Sequence, residues 1–225
     1  MDDMCVDHTK YIMDKIEYVK PDEIEHRSFE IITKELAMQG ITLPVEQAPI
    51  TKRAIHTSAD FEYARTLTFS ENAVAKGLQL IRNGADIVTD TNMALAGVNK
   101  RVLAGFGGEA HCFMADEEVA REAKARGVTR AAVSMERALA IHKPVIIAVG
   151  NAPTALISLY EQLQNGGRQP DYIIGVPVGF VNVEAAKELW IGSDVPYIIN
   201  RGRKGGSNIA AAICNALLYL ARDKD

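Results

Sequence analysis

PVIIAVGNAPTALISL (144–159) passes from an apolar strand through a turn into a helix. Asn151 is available as a cap, Thr154 lies close by, and Pro153 falls near the first helical turn, where its missing N–H costs little. The free N–H groups of such a turn attract carboxylate or phosphate, so the segment is a candidate anion site as well as an ordinary strand–turn–helix unit.

The same alternation spreads in both directions. Short apolar runs recur as ADIVTD (85–90), HCFM (111–114), YIIGV (172–176) and PYIIN (196–200). Between and after them, segments 116–126, 131–142, 152–164, 182–190 and 206–222 carry helical periodicity and are long enough for right-handed crossovers. About five strands in a parallel sheet, covered by helices on both faces, make a three-layer α/β/α fold. Residues 1–83 read differently: 28–38, 45–55 and 71–81 have helical spacing without strong strand signals between them. The expectation is one domain over 1–225, with a mainly helical region (1–83) ahead of an α/β region (84–225).

Open sheets of this kind hold ligands beyond the carboxyl ends of their strands. In IGVPVGFVNVEAAKE (174–188), Pro177 and Gly179 fix a turn and a helix follows Asn182, which backbone geometry explains without a ligand. RGRKGGSNIAAAICNALLYLAR (201–222) sets Arg201, Arg203, Lys204 and two glycines ahead of an Ala-rich helix that Ser207 could cap. Cations and helix dipole would then act on one anion, although the spacing is not that of a P-loop and a solvated basic turn explains the charges equally well. TKRAIHTSADFEY (51–63) places Arg53 and His56 three apart, on one helical face. Thr89, Asp90, Asn92, Lys100, Arg101 and Arg130 stand in loops or helix starts, where caps and solvated charges are the ordinary reading.

Composition narrows the function. A net charge of −4 argues against a nucleic-acid partner, which needs a broad basic face. The acidic start MDDMCVDHTK is unlike a secretory signal, and no apolar run approaches the ~20 residues that span a bilayer, so a cytoplasmic protein without membrane attachment is expected. Cys5, Cys112 and Cys214 are far apart, and the five histidines lack ligand spacing, so neither a disulfide framework nor a protein-held metal is expected.

PDEIEHRSFEII, KRAIHTSADFEY, TDTNMALAGVNKR, FGGE, GVTRAA, VGNAPTALISL, GVPVGFVNVEAAKE and RGRKGGSNIAAAICNALL, in this order and spacing, resemble the precorrin-8X methylmutase family from about Pro21 to Leu220. The resemblance implies a flavodoxin-like fold with added helices, a homodimer with active sites near the subunit interface, and migration of a methyl group from C-11 to C-12 of a tetrapyrrole without an external cofactor. His56 matches the family's proton donor and acceptor, and Ser28, Arg53 and Arg130 match substrate-binding positions. Arg203, Lys204, Ser207 and Asn151 join them on the anion-site argument. IHTSADFEY, TDTNMALAGVNKR and LAGFGGE look more like the branch acting on cobalt-precorrin, in which cobalt arrives inside the substrate ring. AAKE at 185–188 departs from the family's commoner ESKE-like wording. The competing class is a non-catalytic tetrapyrrole or nucleotide carrier using the same crevice. A hydrolase is disfavoured because no G-x-S-x-G elbow and no Cys–His pairing is recognisable.

Overall fold

The structure is a computed structural model and describes residues 3–21 and 23–223. The chain divides into two compact units, residues 1–40 and 41–225. The first holds α1 (Asp3–Met13) and α2 (Ile24–Met38). On α2, Ile32 and Leu36, four apart and so on one face, are buried.

The second unit begins with α3 (Ala48–Ser58), whose first turn carries Pro49, and α4 (Tyr63–Thr66). Then follow β1 (Leu67–Phe69), α5 (Ala73–Arg82), β2 (Asp86–Thr89), α6 (Asn92–Gly97), α7 (Lys100–Gly105), β3 (Ala110–His111), α8 (Glu117–Arg126) and α9 (Arg130–Leu139). The chain closes with β4 (Val145–Val149), α10 (Pro153–Gln164), β5 (Tyr172–Gly175), α11 (Val183–Glu188), β6 (Tyr197–Asn200) and α12 (Ser207–Arg222).

The strands lie in the order β1-β6-β5-β4-β2-β3. Five strands are parallel to one another, although β3 keeps only His111 of the run read at 111–114, and the α/β class stands. The count and the uniform direction do not: β1 is a sixth strand, antiparallel to β6 through Leu67↔Asn200 and Phe69↔Ile198, and it lies inside the region read as helical. Three residues are too few to show an alternating pattern, and β1 pairs on one side only.

Side chains of β4 and β5 alternate between two layers. Val145, Ile147, Val149 and Ile173 join Leu156, Leu159, Met135 and Trp190 of the α9–α10–α11 side, where the Trp190 indole N–H donates to the Leu156 carbonyl at 3.0 Å. On the other face Tyr172 lies under α5 and α12: a Cβ on Gly77 would stand 3.2 Å from Leu217 and 3.4 Å from Tyr172. The Tyr172 hydroxyl donates to the Ala73 carbonyl. Burial on both faces is the usual condition of a parallel sheet, and it leaves only the strand ends open to a ligand.

Candidate functional site

The chain reverses its direction of travel across the sheet between β2 and β4, where such folds commonly bind anionic ligands. Here that position is already filled. The Asp90 carboxylate is fully buried and accepts N–H groups from Gly150 (2.8 Å), Asn151 (2.8 Å) and Ala152 (2.6 Å). Burial draws its pKa upward, and the backbone donors at Gly150, Ala152 and Asn151 draw it back. Two expectations are thereby corrected. The N–H groups of Gly150, Asn151 and Ala152, just ahead of α10, are taken by Asp90 and not by an external anion, and the N-cap is Ala152 with no side-chain cap bond, so Asn151 serves as a backbone donor to Asp90 while its side chain is exposed.

Gly150 is also where the β4–α10 turn meets the start of α12. A Cβ there would stand 2.7 Å from the Ser207 Cα and 2.9 Å from the Gly206 carbonyl, closer than real Cβ contacts. Ser207 is not the cap of α12. The N-cap is Gly206, without a side-chain bond, and the Ser207 hydroxyl pairs instead with the Thr91 hydroxyl at 2.7 Å. Thr91 in turn caps α6 by accepting the Ala94 N–H.

The loop between β6 and α12 is basic but not simply solvated. Arg201 reaches Glu188 at 3.3 Å and Arg203 reaches Glu184 at 2.9 Å, both carboxylates on α11. Lys204 meets Asp60 at 2.5 Å and Glu62 at 2.7 Å. The hydrogen bond from Lys204 holds the Asp60 carboxyl below the usual carboxylate range, and Asp60 in turn raises Lys204. The Arg203 guanidinium lies 5.6 Å from the centroid of the Phe180 ring, which is 83% exposed, with Val178 and Val181 also exposed beside it. Reading 174–188 as turn geometry missed this apolar rim. The adjacent exposed residues in PVGFV carried the signal, because isolated exposed apolar residues are common whereas a contiguous group is not.

α3 carries Arg53 and His56 on one face, as its spacing requires, with His56 exposed in the last turn. The Arg53 guanidinium lies 5.2 Å from the Tyr219 ring on α12, and the Tyr219 hydroxyl accepts the Asn99 side-chain N–H at 3.2 Å. Just past α3 the chain turns at Ala59 (φ 54°) and presents Asp60 to Lys204. The structure thus brings the end of the His56 helix to the cationic loop. Asn99 also lines an open cavity of about 950 Å³ with Arg82, Arg101, Phe106 and Arg222. Arg82 and Arg222 are far from Arg101 in the chain, so no local pattern foretold their meeting.

Arg130 opens α9 beside its cap Thr129, in the opposite helical layer from α3 and α12. Ser28 lies on α2 in the N-terminal unit, and its hydroxyl donates to the Ile24 carbonyl at 2.9 Å. Among the described residues no group of three His, Cys, Asp or Glu could hold a metal ion. Burial pushes the Cys214 thiol up to about 12 and raises Cys112 more modestly; the Cys5 side chain lies outside the described residues.

A family model described as precorrin-8X methylmutase matches residues 23–220. The chain belongs to the precorrin-8X methylmutase family. It is 43% identical over 203 residues to the cobalt-precorrin-8 methylmutase of Priestia megaterium, covering 90% of this chain and 89% of that one. It is 42% identical over 209 residues to the enzyme of that name from Salmonella typhimurium, covering 91% and 97%. The solved structure of a precorrin-8X methylmutase from Thermus thermophilus superposes with a TM-score of 0.79 at 39% identity, over 89% of this chain and 98% of that one. This methylmutase is therefore an isomerase of cobalamin biosynthesis, and its six-stranded sheet belongs to the fold of that family. Among the described residues no helix is long and apolar enough to cross a membrane.

Proposed function

We propose that this methylmutase moves a methyl group from C-11 to C-12 of cobalt-precorrin-8, with His56 giving and taking back one proton. Both relatives quoted above are named cobalt-precorrin-8 methylmutases, which favours the cobalt form over metal-free precorrin-8 and cobyrinic acid over hydrogenobyrinic acid as product. The C-11 to methyl bond breaks as the C-12 to methyl bond forms, so no atom is gained or lost and no redox partner is needed. Protonation at ring C makes the migration terminus electron-poor, and an imidazole that changes charge near neutral pH is suited to supply that proton and recover it. Cobalt belongs to the substrate, and the protein contributes no cofactor of its own.

The observation that carries this reading is the clip between Lys204 and Asp60, which joins the end of the His56 helix to the cationic loop. The substrate is a flat apolar ring with a carboxylate rim. Phe180, Val178 and Val181 offer it an apolar face, and the exposed cations Arg203 and Lys204 can exchange Glu184 and Glu62 for carboxylates of a ligand while the Lys204–Asp60 clip stays in place. Arg53 is proposed to bind substrate with them, with Ser207 and the Asn151 side chain as secondary members, while Arg130 and Ser28 are proposed as substrate-binding residues on the family resemblance alone. The protein is further proposed to be a single functional domain and a cytoplasmic homodimer that binds neither nucleic acid nor membrane.

A nucleotide carrier is disfavoured because Asp90 occupies the anion position that a phosphate would take. A tetrapyrrole carrier is separated by experiment. Purified protein and a His56→Ala variant are each incubated anaerobically with cobalt-precorrin-8 and, separately, with the metal-free form while the visible spectrum is followed. Conversion of the cobalt form by the unmodified protein, with binding but no conversion by the variant, is expected. Binding without conversion by either protein would establish the carrier instead.

A further inference from the structure

Lys187 on α11 has no exposed surface, and its ammonium group donates to the carbonyls of Gly202 at 2.7 Å and Lys204 at 2.9 Å. The carboxylate one turn back, Glu184, is engaged by Arg203. A cation held by carbonyls alone loses its hydration for two neutral partners, and burial lowers its pKa to about 8 against the opposing charge of Glu184. Core packing alone would be better served by an apolar side chain.

What this cation does is visible in the loop above it. All four carbonyls from Arg201 to Lys204 face inward to a donor. Asn200 donates its side-chain amide to the carbonyls of Arg201 and Lys204, the Gly179 N–H donates to that of Arg203, and Lys187 takes Gly202 together with a second bond to Lys204. With the carbonyls turned in, the side chains of Arg201, Arg203 and Lys204 are left exposed. The loop belongs to no helix or strand, and Gly202 (φ 73°), Gly205 and Gly206 give it little stiffness of its own. A Cβ on Gly205 would strike the Val176 carbonyl, so the backbone is threaded tightly against the end of β5.

We propose that Lys187 is a positioning residue for substrate: from beneath, it fixes the 201–204 loop so that Arg203 and Lys204 present their charges in one arrangement to the carboxylates of the ring. This rests on the reading of Arg203 and Lys204 as carboxylate-binding residues. Lys187 touches no substrate and acts only through the loop.

The test is a double-mutant cycle read in binding and turnover. Cobyrinic acid is titrated by visible absorbance into the full-length protein, K187M, R203A/K204A and the triple variant, and KM and kcat are measured with cobalt-precorrin-8. K187M is expected to raise Kd and KM about tenfold with kcat within about twofold, and to add less than about twofold once Arg203 and Lys204 are gone, because residues acting as one unit are not additive. Should K187M fail to fold, K187Q, which keeps a donor, replaces it with a smaller change in the same direction. A Lys187 variant that binds like the unmodified protein, or a loss repeated in full on R203A/K204A, would overturn the inference. If R203A/K204A itself binds normally, the loop is not a carboxylate site and the role of Lys187 falls with it.

Discussion

The Asp90 carboxylate and the Gly150 N–H, 60 residues apart in the chain, meet at 2.8 Å at the crevice between β2 and β4. With Asn151 and Ala152 completing the set, an internal side chain sits where related architectures hold a ligand's anionic group. Three backbone donors of the crevice are thus spent on an internal carboxylate.

Asp90→Asn retains the shape of the side chain, but its NH₂ group faces N–H donors and can accept none of them. With bonds to a charged acceptor lost in a buried site, the variant is expected to be less stable by about 3 kcal/mol. Urea unfolding followed by circular dichroism would measure this. An unchanged midpoint would mean that Asp90 is not the stabilising anion of this turn.

Gly150→Ala tests the neighbouring contact. Its Cβ would meet backbone atoms of Ser207 and Gly206, not the tip of a flexible side chain, so α12 must move away from the β4–α10 turn. A loss of about 2 kcal/mol is expected, typical of overpacking. The Thr91–Ser207 hydroxyl pair should be disturbed with it, which a crystal structure of the variant would display.

Arg53→Ala should weaken cobyrinic acid binding by about 1–3 kcal/mol if its carboxylate bond is desolvated. Arg53→Lys should recover only part of that loss, because the planar group over the Tyr219 ring is replaced by a compact ammonium that grips a carboxylate through one atom. Absorbance titration of the two variants side by side decides it. Equal affinities would show that charge alone matters at this position.

The parallel core was legible because each of its main strands is a compact apolar run, so that Val145–Val149 and Tyr172–Gly175 declare themselves without knowledge of their neighbours. β1 did not, since Leu67, Thr68 and Phe69 become a strand only by pairing with β6 more than a hundred residues later. His56 and Arg53 could be placed on one helical face by spacing alone. Asp90 and Lys187 could not be read: each looks locally like a cap or a solvated charge, and each acquires its role from a loop that returns from elsewhere in the fold. Helix-start arguments failed at Asn151 and Ser207 for the same reason, because long-range partners took over the groups that local rules had assigned.

Lys187 also makes a prediction in pH. Its folded pKa is lowered to about 8 from an ordinary 10.5, so between these values the unfolded chain binds more protons than the folded one, and folding stability gains with rising pH. Below about pH 8 both states are protonated and the full burial cost is present; as pH climbs to about 10.5 that cost is relieved by as much as ~3 kcal/mol, at 1.36 kcal/mol per unit. Lys187→Met lacks this group while keeping the rest, including Tyr63, whose pKa burial raises to about 12 and whose opposing effect is common to both proteins. The stability of the unmodified protein relative to Lys187→Met should therefore improve steadily from pH 7.5 to 10.5 in paired urea titrations. A difference that stays flat across this range would mean that Lys187 keeps its proton throughout, held by the Gly202 and Lys204 carbonyls more strongly than burial opposes it.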